Sequence, residues 1–442
     1  MFSSVFSVSL WLIIMEEYDV VVIGGGPGGA VCARELAGSG HKVLLIERDQ
    51  PGRYKPCAGG ISPRTALITP MRRDVIEREI VEALLVSPRM RRYELTLGDN
   101  HGWVVYRDKY DDYLRELAAD AGAEIVFQTR AERIEIGAGG ASVVAETPTG
   151  EIHYKARCVV GAFGLTHGKQ LMRQLGITPP KPTACVCIEM KIDGEQVDDK
   201  IGDRIEAYFD TRIIRDGYGW IYPRRAGASA GIATRNPSEV KRLKQSLMDF
   251  INHHPIAAEK LYGWQPYFGT LKDSIFGHLI PVEPAARTDG ERFLLVGDAA
   301  GAADPLTGEG IYHAQATAKI AAEFLSEQLK QDKLAASDLN AYEKLWKDKI
   351  YQHGTRYTGI ICEIFRRFPY QDDLAEILLE LAGQDEAIRR AVLCVFTGIG
   401  SARETFRSVM TIGNLLRASR RLGWKTFPLI HAVLSSSGFF RR

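Results

Sequence analysis

The feature that most constrains the fold is a glycine-rich turn between two apolar runs. Residues 18–23 read YDVVVI, residues 24–29 read GGGPGG, and residues 43–47 read VLLIE. Apolar runs of this length indicate buried strands, and the segment between them has helical character. The stretch therefore predicts a strand, a tight turn, a helix over 30–38 and a second strand that ends in an acid.

Three glycines, Gly24, Gly26 and Gly29, occupy the positions of a G-x-G-x-x-G motif. The first lets the chain turn tightly, the second lets the backbone approach a pyrophosphate, and the third allows the helix to pack closely on the strand. A pyrophosphate would lie at the helix N-terminus, where free N–H groups favour negative charge. Glu47, 18 residues beyond Gly29, is placed to accept hydrogen bonds from ribose hydroxyls. The sequence predicts a site for an adenine dinucleotide.

Composition narrows the class of protein. The chain has 442 residues, 45% of them hydrophobic and 25% charged, with a formal net charge of +1. This length is enough for two or three domains, and the balanced charge argues against a nucleic-acid partner. The seven cysteines contain no paired C-x-x-C motifs, which argues against a disulfide framework and a structural zinc site. We predict no metal site and expect a reducing compartment, the cytoplasm.

The first fourteen residues are apolar and serine-rich and contain no basic residue. They are too short to span a bilayer and lack the charged start of a signal peptide. Met15 lies directly before the predicted dinucleotide-binding domain. We therefore expect residues 1–15 to be a disordered extension, or the chain to start at Met15.

Hydrophobic patterning divides the rest of the chain. Residues 65–85 are interpreted as a helix, residues 158–162 as a short buried strand, and residues 184–277 as strands of an antiparallel sheet with one face packed and one available. Residues 292–298 return to a buried parallel strand.

These patterns predict an α/β fold with an added antiparallel layer: a Rossmann-like dinucleotide-binding domain is interleaved with a substrate domain and followed by a helical region. The predicted boundaries are 16–85, 106–180 and 278–335 for the dinucleotide-binding domain, 86–105 and 181–277 for the substrate domain, and 336–442 for the helical region.

A second glycine-rich motif identifies the dinucleotide. A strand ending in Gly297-Asp298 is followed by a loop with Pro305, Gly308 and Gly310, about 270 residues beyond the first motif. This resembles the second FAD fingerprint of p-hydroxybenzoate-hydroxylase-like flavoproteins. The resemblance implies that the aspartate binds the ribityl chain and that the loop presents N–H groups near the pyrophosphate and the flavin N1/O2 edge. A helix N-terminus there would stabilise the negative charge of reduced flavin, so FAD is the predicted cofactor.

Three further motifs resemble the geranylgeranyl reductase family. They are the loop KPCAGG at 55–60, the helix start with Arg107, Tyr110, Asp111 and Leu114, and the segment YGWIYP at 218–223. The resemblance covers roughly residues 16–330. It implies an oxidoreductase that reduces double bonds of a polyprenyl chain by hydride transfer from flavin N5 with coupled protonation.

The two motifs and the resemblance together define the predicted site. The residues predicted to bind the cofactor are Gly24, Gly26, Gly28, Gly29, Glu47, Arg48, Cys57, Ala58, Gly59, Arg107, Gly297, Asp298, Pro305, Gly308, Gly310 and Ile311. The residues predicted to act in catalysis are Cys57, Tyr218, Trp220 and Tyr222. Strand alternation places the three aromatic side chains on one face, as a pocket wall requires. No histidine is assigned a catalytic role.

Two departures from the resembled patterns leave alternatives open. Arg215 stands where the longer aromatic motif has a proline. Phe163-Gly164 stands where the aromatic hydroxylases carry an Asp-Gly pair that contacts FAD and NADPH, which disfavours direct use of NADPH in their manner. The electron donor, NADPH or a ferredoxin-like protein, is therefore open. A monooxygenase, a halogenase and a non-enzymatic flavin-binding module are the competing interpretations.

The C-terminal segment 401–442 carries eight basic residues and one acid. The basic residues are Arg403, Arg407, Arg417, Arg420, Arg421, Lys425, Arg441 and Arg442. Apolar and aromatic residues are interleaved with them. Such a segment can lie on an anionic membrane surface, where a lipid substrate would be found, or it can cap the substrate domain with its arginines in water.

Overall fold

The computed structural model describes residues 17–137, 139–400, 402–409 and 411–436, which form three sheets and a helical C-terminal region. The extension expected at 1–15, and with it the alternative start at Met15, lies outside the described residues. Arg441 and Arg442 of the basic C-terminal segment also lie outside them.

The strands of the described residues are, in chain order, β1 Glu17–Ile23, β2 Val43–Ile46, β3 Gly60–Ile61, β4 Ile76–Ile80, β5 Glu82–Val86, β6 Arg92–Thr96, β7 Gly102–Val105, β8 Glu124–Val126, β9 Arg130–Gly137, β10 Gly140–Thr147, β11 Gly150–Gly161, β12 Pro182–Lys191, β13 Arg204–Tyr208, β14 Gly217–Arg224, β15 Gly227–Thr234, β16 Gln265–Pro266, β17 Ile275–Pro281, β18 Asp289–Gly290 and β19 Phe293–Leu295.

The α-helices are α1 Pro27–Gly38, α2 Pro63–Ala66, α3 Arg107–Asp120, α4 Lys169–Gln174, α5 Gly194–Lys200, α6 Leu243–His253, α7 Ala257–Lys260, α8 Leu271–Ser274, α9 Ile311–Lys330, α10 Ala336–Leu339, α11 Ala341–Trp346, α12 Arg356–Arg367, α13 Gln371–Gln384, α14 Glu386–Thr397, α15 Ala402–Val409, α16 Ile412–Leu422 and α17 Thr426–Ser436. A π-helical stretch, Lys347–Thr355, joins α11 to α12.

The first sheet forms around the strand that precedes the glycine turn. Strand β1 pairs in parallel with β2 on one side and with β11 on the other, and β8 and β19 extend the parallel sheet outward. The chain continues from β1 to β2 at one edge of β1 and later forms β11 at its other edge. In such sheets, ligands bind at the carboxyl ends of the strands where the direction reverses, which is where the glycine turn lies. The predicted return to a parallel strand near 292–298 is confirmed by β19.

The second sheet has the order β16-β12-β15-β14-β13-β5-β6, with β17 also paired to β12. It is antiparallel except that β13 pairs in parallel with β5. One face packs against α6 through a buried core that includes Ile188, Ile221 and Phe250. The other face lines a cavity. This is the predicted layer with one packed and one available face.

One local prediction was wrong, and one predicted strand is the end of a longer one. Residues 65–85 do not form a helix: α2 ends at Ala66, a single 3₁₀ turn covers Arg73–Val75, and β4 and β5 follow. Pro70 interrupts a helix at this point, and pairing of β4 with β7 and of β5 with β13 overrides the helical propensity of the charged residues. The strand expected at 158–162 is the buried second half of β11 rather than a separate element.

The second sheet also reaches beyond the predicted domain boundaries, because β5 at Glu82–Val86 and β17 at Ile275–Pro281 belong to it. The division of the chain into domains stays a prediction.

Helices α12 to α17 pack on one another around a core that includes Ile360, Phe368 and Leu381. Leu379 of α13 and Leu393 of α14 also contact the second sheet near Leu85. No helix within the described ranges is long and apolar enough to cross a membrane.

Substitution of Gly29 by alanine tests the close approach of α1 to the turn. A Cβ at Gly29 would lie 1.8 Å from the carbonyl oxygen of Gly24, whereas a Cβ at Gly38, in the same helix, meets no atom within 4 Å. We expect G29A to lower the free energy of unfolding by about 1–3 kcal/mol or more, and G38A to leave it unchanged or raise it. Thermal unfolding of the two holoenzyme variants compares them, and equal stability would contradict the close packing.

Candidate active site

One cavity of about 1210 Å³ runs from the glycine turn, past the loop that carries Cys57, along the open face of the second sheet and into the C-terminal helices. All the predicted site residues line it except Gly29. Gly29 instead lies where α1 packs on the turn, which is the role that the motif predicts for its third glycine. The structure thus brings together residues that are distant in the sequence.

The glycines of the first motif have different surroundings. Gly24 has φ +104°, and a Cβ there would lie 2.6 Å from the carbonyl oxygen of Ala162. A Cβ at Gly26 would meet no atom within 4 Å, so the backbone at Gly26 is open to the cavity. A Cβ at Gly28 would lie 3.3 Å from the carbonyl oxygen of Ala314, where α9 passes. This open, glycine-lined cradle at the start of α1 fits a pyrophosphate.

Glu47 is held in place by the backbone. The N–H of Gly25 donates to Glu47 Oε2 at 2.7 Å, and the N–H of Asp49 donates to Oε1 at 2.9 Å. Each carboxylate oxygen has a second lone pair that remains to accept a hydroxyl proton. Arg115 stabilises the same turn by donating to the carbonyl of Gly25 at 2.8 Å. Arg48 forms an ion pair with Asp49.

The second motif forms a closed loop that lies beside the first motif, since Gly28 and Gly297 both approach Ala314. Gly297 has φ +61°, and its N–H donates to Thr317 Oγ1 at 3.0 Å. Asp304 closes the loop by accepting from the N–H groups of Leu306 and Thr307, both at 2.9 Å, and Thr358 donates to its other carboxylate oxygen. Helix α9 starts directly after this loop, so the first turns of α1 and α9 open into the same cavity. This arrangement fits the diphosphate and ribityl parts of FAD.

The loop that carries Cys57 is shaped by the two glycines after it. Gly59 has φ +77°, and a Cβ there would lie 2.1 Å from the carbonyl oxygen of Val105. A Cβ at Gly60 would lie 2.7 Å from the ring of Tyr222. The loop therefore lies directly against the aromatic strand β14, and the half-buried Cys57 lines the cavity together with that strand.

Arg107 lines the cavity and is paired within its own helix. Its buried guanidinium donates to both carboxylate oxygens of Asp111 at 2.8 Å. Burial alone would raise the pKa of Asp111, but Arg107, with Arg53 and Lys55, outweighs it and holds that pKa below its usual range. Arg107, held by Asp111, is a fixed charged group of the cavity lining near Cys57.

Sequence reasoning missed two titratable groups of this region. His278 of β17 lines the cavity, and burial, assisted by the charge of Lys55, lowers its pKa to about 4, so the imidazole is neutral at pH 7. Burial, together with Arg107, also lowers the pKa of Lys55. Lys55 belongs to the KPCAGG loop and could have been assigned. His278 is a single histidine in an ordinary strand, and nothing in the sequence marks it.

The predicted aromatic face is present on β14. The ring centroids of Tyr218 and Trp220 lie 6.1 Å apart, and the Tyr218 hydroxyl donates to the carbonyl of Thr307 at 2.5 Å. The neighbouring position on β15 is Gly231, where a Cβ would lie 2.1 Å from the Trp220 ring. The aromatic wall therefore lies across a strand of small residues and touches the second glycine-rich loop.

The C-terminal helices extend the cavity with an apolar lining, which sequence reasoning did not predict. The lining includes Phe365, Leu378, Val392, Phe406, Val409, Leu429 and Val433. No short motif marks these positions. Apolar residues occur on all sides of α17, and that pattern was the available signal.

Comparison with known proteins agrees with this geometry. The sequence model of the FAD dependent oxidoreductase family matches residues 19–167. The chain is 31% identical to a digeranylgeranylglycerophospholipid reductase of Methanocaldococcus jannaschii, over 76% of this chain and 84% of that protein. It is 33% identical to a geranylgeranyl diphosphate reductase of Rhodobacter capsulatus, over 72% and 78%.

A solved geranylgeranyl bacteriochlorophyll reductase-like structure from Thermoplasma acidophilum shares the fold, with a TM-score of 0.76 and 24% identity. It covers 93% of this chain and 100% of that one. The chain belongs to the geranylgeranyl reductase family of FAD-dependent oxidoreductases. The predicted fold class, family and cofactor are confirmed. The roles assigned to individual site residues stay predictions.

Substitution of Glu47 by glutamine tests the ribose contact. Glutamine has one acceptor oxygen, so one of the two backbone N–H groups that Glu47 now satisfies would lose its partner. We expect E47Q to weaken FAD binding roughly tenfold or more, measured by fluorescence titration of the apoprotein. E151Q, at an exposed position, is the control. Equal affinity of the two variants would contradict the assignment.

Proposed function

We propose that this protein saturates carbon–carbon double bonds of a polyprenyl chain with reducing equivalents from FAD. The observation that carries the proposal is the continuity of one cavity, which joins the glycine turn to the aromatic wall of β14 and to the apolar lining of the C-terminal helices, here called the tunnel. A long prenyl chain is apolar and flexible, so it fits a tunnel of this lining. The two curated relatives, which are named reductases of geranylgeranyl compounds, support the same substrate class.

Reduced FAD supplies a hydride when it is bound. Saturation of an isolated double bond consumes that hydride and one proton, and no carbonyl group is present to polarise the bond. The faces of Tyr218, Trp220 and Tyr222 would stabilise positive charge on the tertiary carbon by about 0.5–2 kcal/mol each. Cys57, beside Tyr222, positions the substrate or lies on the proton path.

Tyr222 can hold a proton in this site. Burial chiefly, with the nearby Cys57 and Glu309, raises its pKa above the usual value, so the phenol stays protonated at neutral pH. Its ring covers Gly60 of the Cys57 loop. The aromatic wall and the apolar tunnel exclude water, which strengthens every charge interaction inside the site.

The competing oxidative functions find less support. Phe163 follows β11 at the edge of the cavity, where an aromatic hydroxylase carries a carboxylate. Its ring packs against Gly161 and Gly168 and offers no acceptor for a nicotinamide cofactor. We therefore infer that electrons come from a ferredoxin-like protein, or from NADPH bound in another manner.

We also propose that the C-terminal helices contact a membrane. Leu416, Trp424, Phe427 and Ile430 are exposed apolar side chains, between 51% and 77% accessible. On the other side of α17, Leu429 lines the cavity. One helix thus offers an apolar face to the outside and an apolar lining to the tunnel, which suits transfer of a lipid chain from a bilayer.

The positive charge of this segment is partly neutralised. Arg417, Arg421 and Lys425 form ion pairs with acids of the neighbouring region, Asp385, Glu380 and Asp373. Attraction to anionic lipid is therefore weaker than the sequence composition indicates. The exposed apolar side chains supply the larger part of the proposed membrane affinity.

Product analysis tests the reductase function. Dithionite-reduced holoenzyme is incubated without oxygen with a lipid that carries geranylgeranyl chains, and mass spectrometry follows the products. We expect a gain of one hydrogen pair for each reduced double bond. Oxygen or halide incorporation in air, without hydrogen gain under anaerobic conditions, would overturn the proposal in favour of a monooxygenase or halogenase.

A block in the tunnel tests the role of the C-terminal helices. Leu429 is buried and lines the cavity, whereas its neighbour Ile430 is exposed. We expect L429W to lower reduction of a geranylgeranyl chain roughly tenfold or more, because the larger indole occupies cavity space that the long chain needs, and to spare a shorter geranyl chain. I430W is the matched control in detergent. Equal activity of L429W and I430W on the long chain would place the substrate elsewhere.

Removal of the exposed apolar face tests the membrane contact. We expect the triple variant W424S, F427S, I430S to co-sediment with anionic vesicles roughly tenfold less than the unchanged protein. Each of the three exposed side chains contributes apolar area that membrane binding would bury. Y262S, at an exposed aromatic position in another part of the chain, is the control. Retention of full vesicle binding by the triple variant would place the contact outside this face.

A further inference from the structure

The cavity face of the second sheet does not end at its aromatic residues. Along β14 the same alternation that presents Tyr218, Trp220 and Tyr222 continues to Arg224, and along β12 it presents Glu189. Both charged side chains are at most 1% exposed. Arg224 Nη2 lies 3.1 Å from Glu189 Oε1, across the small residues of β15. A fully buried ion pair thus stands at one end of the aromatic wall.

Arg224 connects this sheet to the loop of Cys57. Its Nη1 donates to the carbonyl of Ala58 at 2.9 Å, and its Nη2 donates to the carbonyl of Cys57 at 3.4 Å. The guanidinium lies 4.6 Å from the ring centroid of Tyr106, which supports it from another side. A Cβ at Gly59 would lie 3.2 Å from Nη1, so glycine lets the loop approach the cation closely. One cation therefore holds the backbone on which the Cys57 thiol is carried.

Joining the sheet and the loop through a buried ion pair costs free energy. Burying two charges removes their hydration, and well-packed apolar residues of similar size often give equal or greater stability. Arg224 Nε has no hydrogen-bond partner among the described residues, so the guanidinium is not fully satisfied by this pair, whereas Ser229 and Tyr54 also lie against Glu189. Unlike an apolar side chain, the guanidinium can donate hydrogen bonds to two successive carbonyl groups at once.

We propose that Arg224, oriented by Glu189, is a positioning residue that sets the backbone of the Cys57 loop and so the place of the Cys57 thiol against Tyr222. The inference rests on the proposed function only for the reaction that this placement serves. The contacts themselves do not involve substrate.

The test uses the holoenzyme and four variants: R224M, R224K, the double variant R224M/E189Q, and R225M at the exposed neighbouring position as control. Alkylation by iodoacetamide is followed at Cys57 by mass spectrometry, with the partly buried Cys394 as internal reference. This measurement needs no prenyl substrate, so its result does not depend on whether the protein reduces prenyl chains. Thermal unfolding and the values of kcat and KM for prenyl reduction are measured on the same samples.

We expect R224M to raise the Cys57 alkylation rate roughly tenfold or more, since the loop loses charge-assisted hydrogen bonds. We expect kcat to fall roughly 100-fold with little change of KM, because a small displacement of a reacting group lowers rate rather than binding. R224K keeps a cation that can donate hydrogen bonds, so its Cys57 alkylation rate and its kcat should lie between those of R224M and the unchanged enzyme. R225M should match the unchanged enzyme.

The double variant separates positioning from stability. R224M leaves a buried unpaired carboxylate and unfolds more easily, whereas R224M/E189Q removes both charges and should regain thermal stability. We expect its Cys57 alkylation and kcat to stay as in R224M. Recovery of protection and kcat together with stability would overturn the proposal, as would unchanged Cys57 alkylation in R224M. If R224M does not fold, the double variant alone decides between these outcomes.

Discussion

The site depends on the small residues of β15. Strand β14 carries large side chains on its cavity face, and beside it β15 offers Ser229, Gly231 and Ala233. A Cβ at Gly231 would overlap the Trp220 ring, so glycine here lets the indole lie across the sheet instead of standing up from it. The aromatic side chains therefore lie flat against the sheet, which leaves room for the cavity over them. A larger residue on β15 would push the aromatic side chains into the space that a substrate needs.

The same wall holds the two loops that complete the site. Tyr218 donates to Thr307 in the second glycine-rich loop, and Arg224 donates to Cys57 and Ala58 in the other. The parallel sheet contributes the glycine turn and Glu47 from below. The second sheet is thus joined to both loops by direct hydrogen bonds, although their residues are far apart in the sequence.

Glycine spacing and strand alternation in the sequence predicted the features that depend on local backbone conformation. The strand–turn–helix at Gly24–Gly29, the closing strand before Asp298 and the one-sided aromatic strand β14 were predicted because glycine positions and strand alternation carry that information. The helix expected at 65–85 was wrong because sheet pairing decided its conformation. His278, Glu189 and the tunnel lining of α17 lie in the site only through long-range packing. No spacing in the sequence marks them.

The central claim is that electrons pass from this protein to a prenyl double bond. The most direct measurement mixes reduced holoenzyme with a geranylgeranyl lipid in a stopped-flow instrument without oxygen and records the visible absorbance of oxidised flavin. The account predicts that oxidised flavin appears in proportion to the double bonds saturated, one for one. If the absorbance stays that of reduced flavin until oxygen is admitted, and the lipid is recovered unsaturated, the account is contradicted.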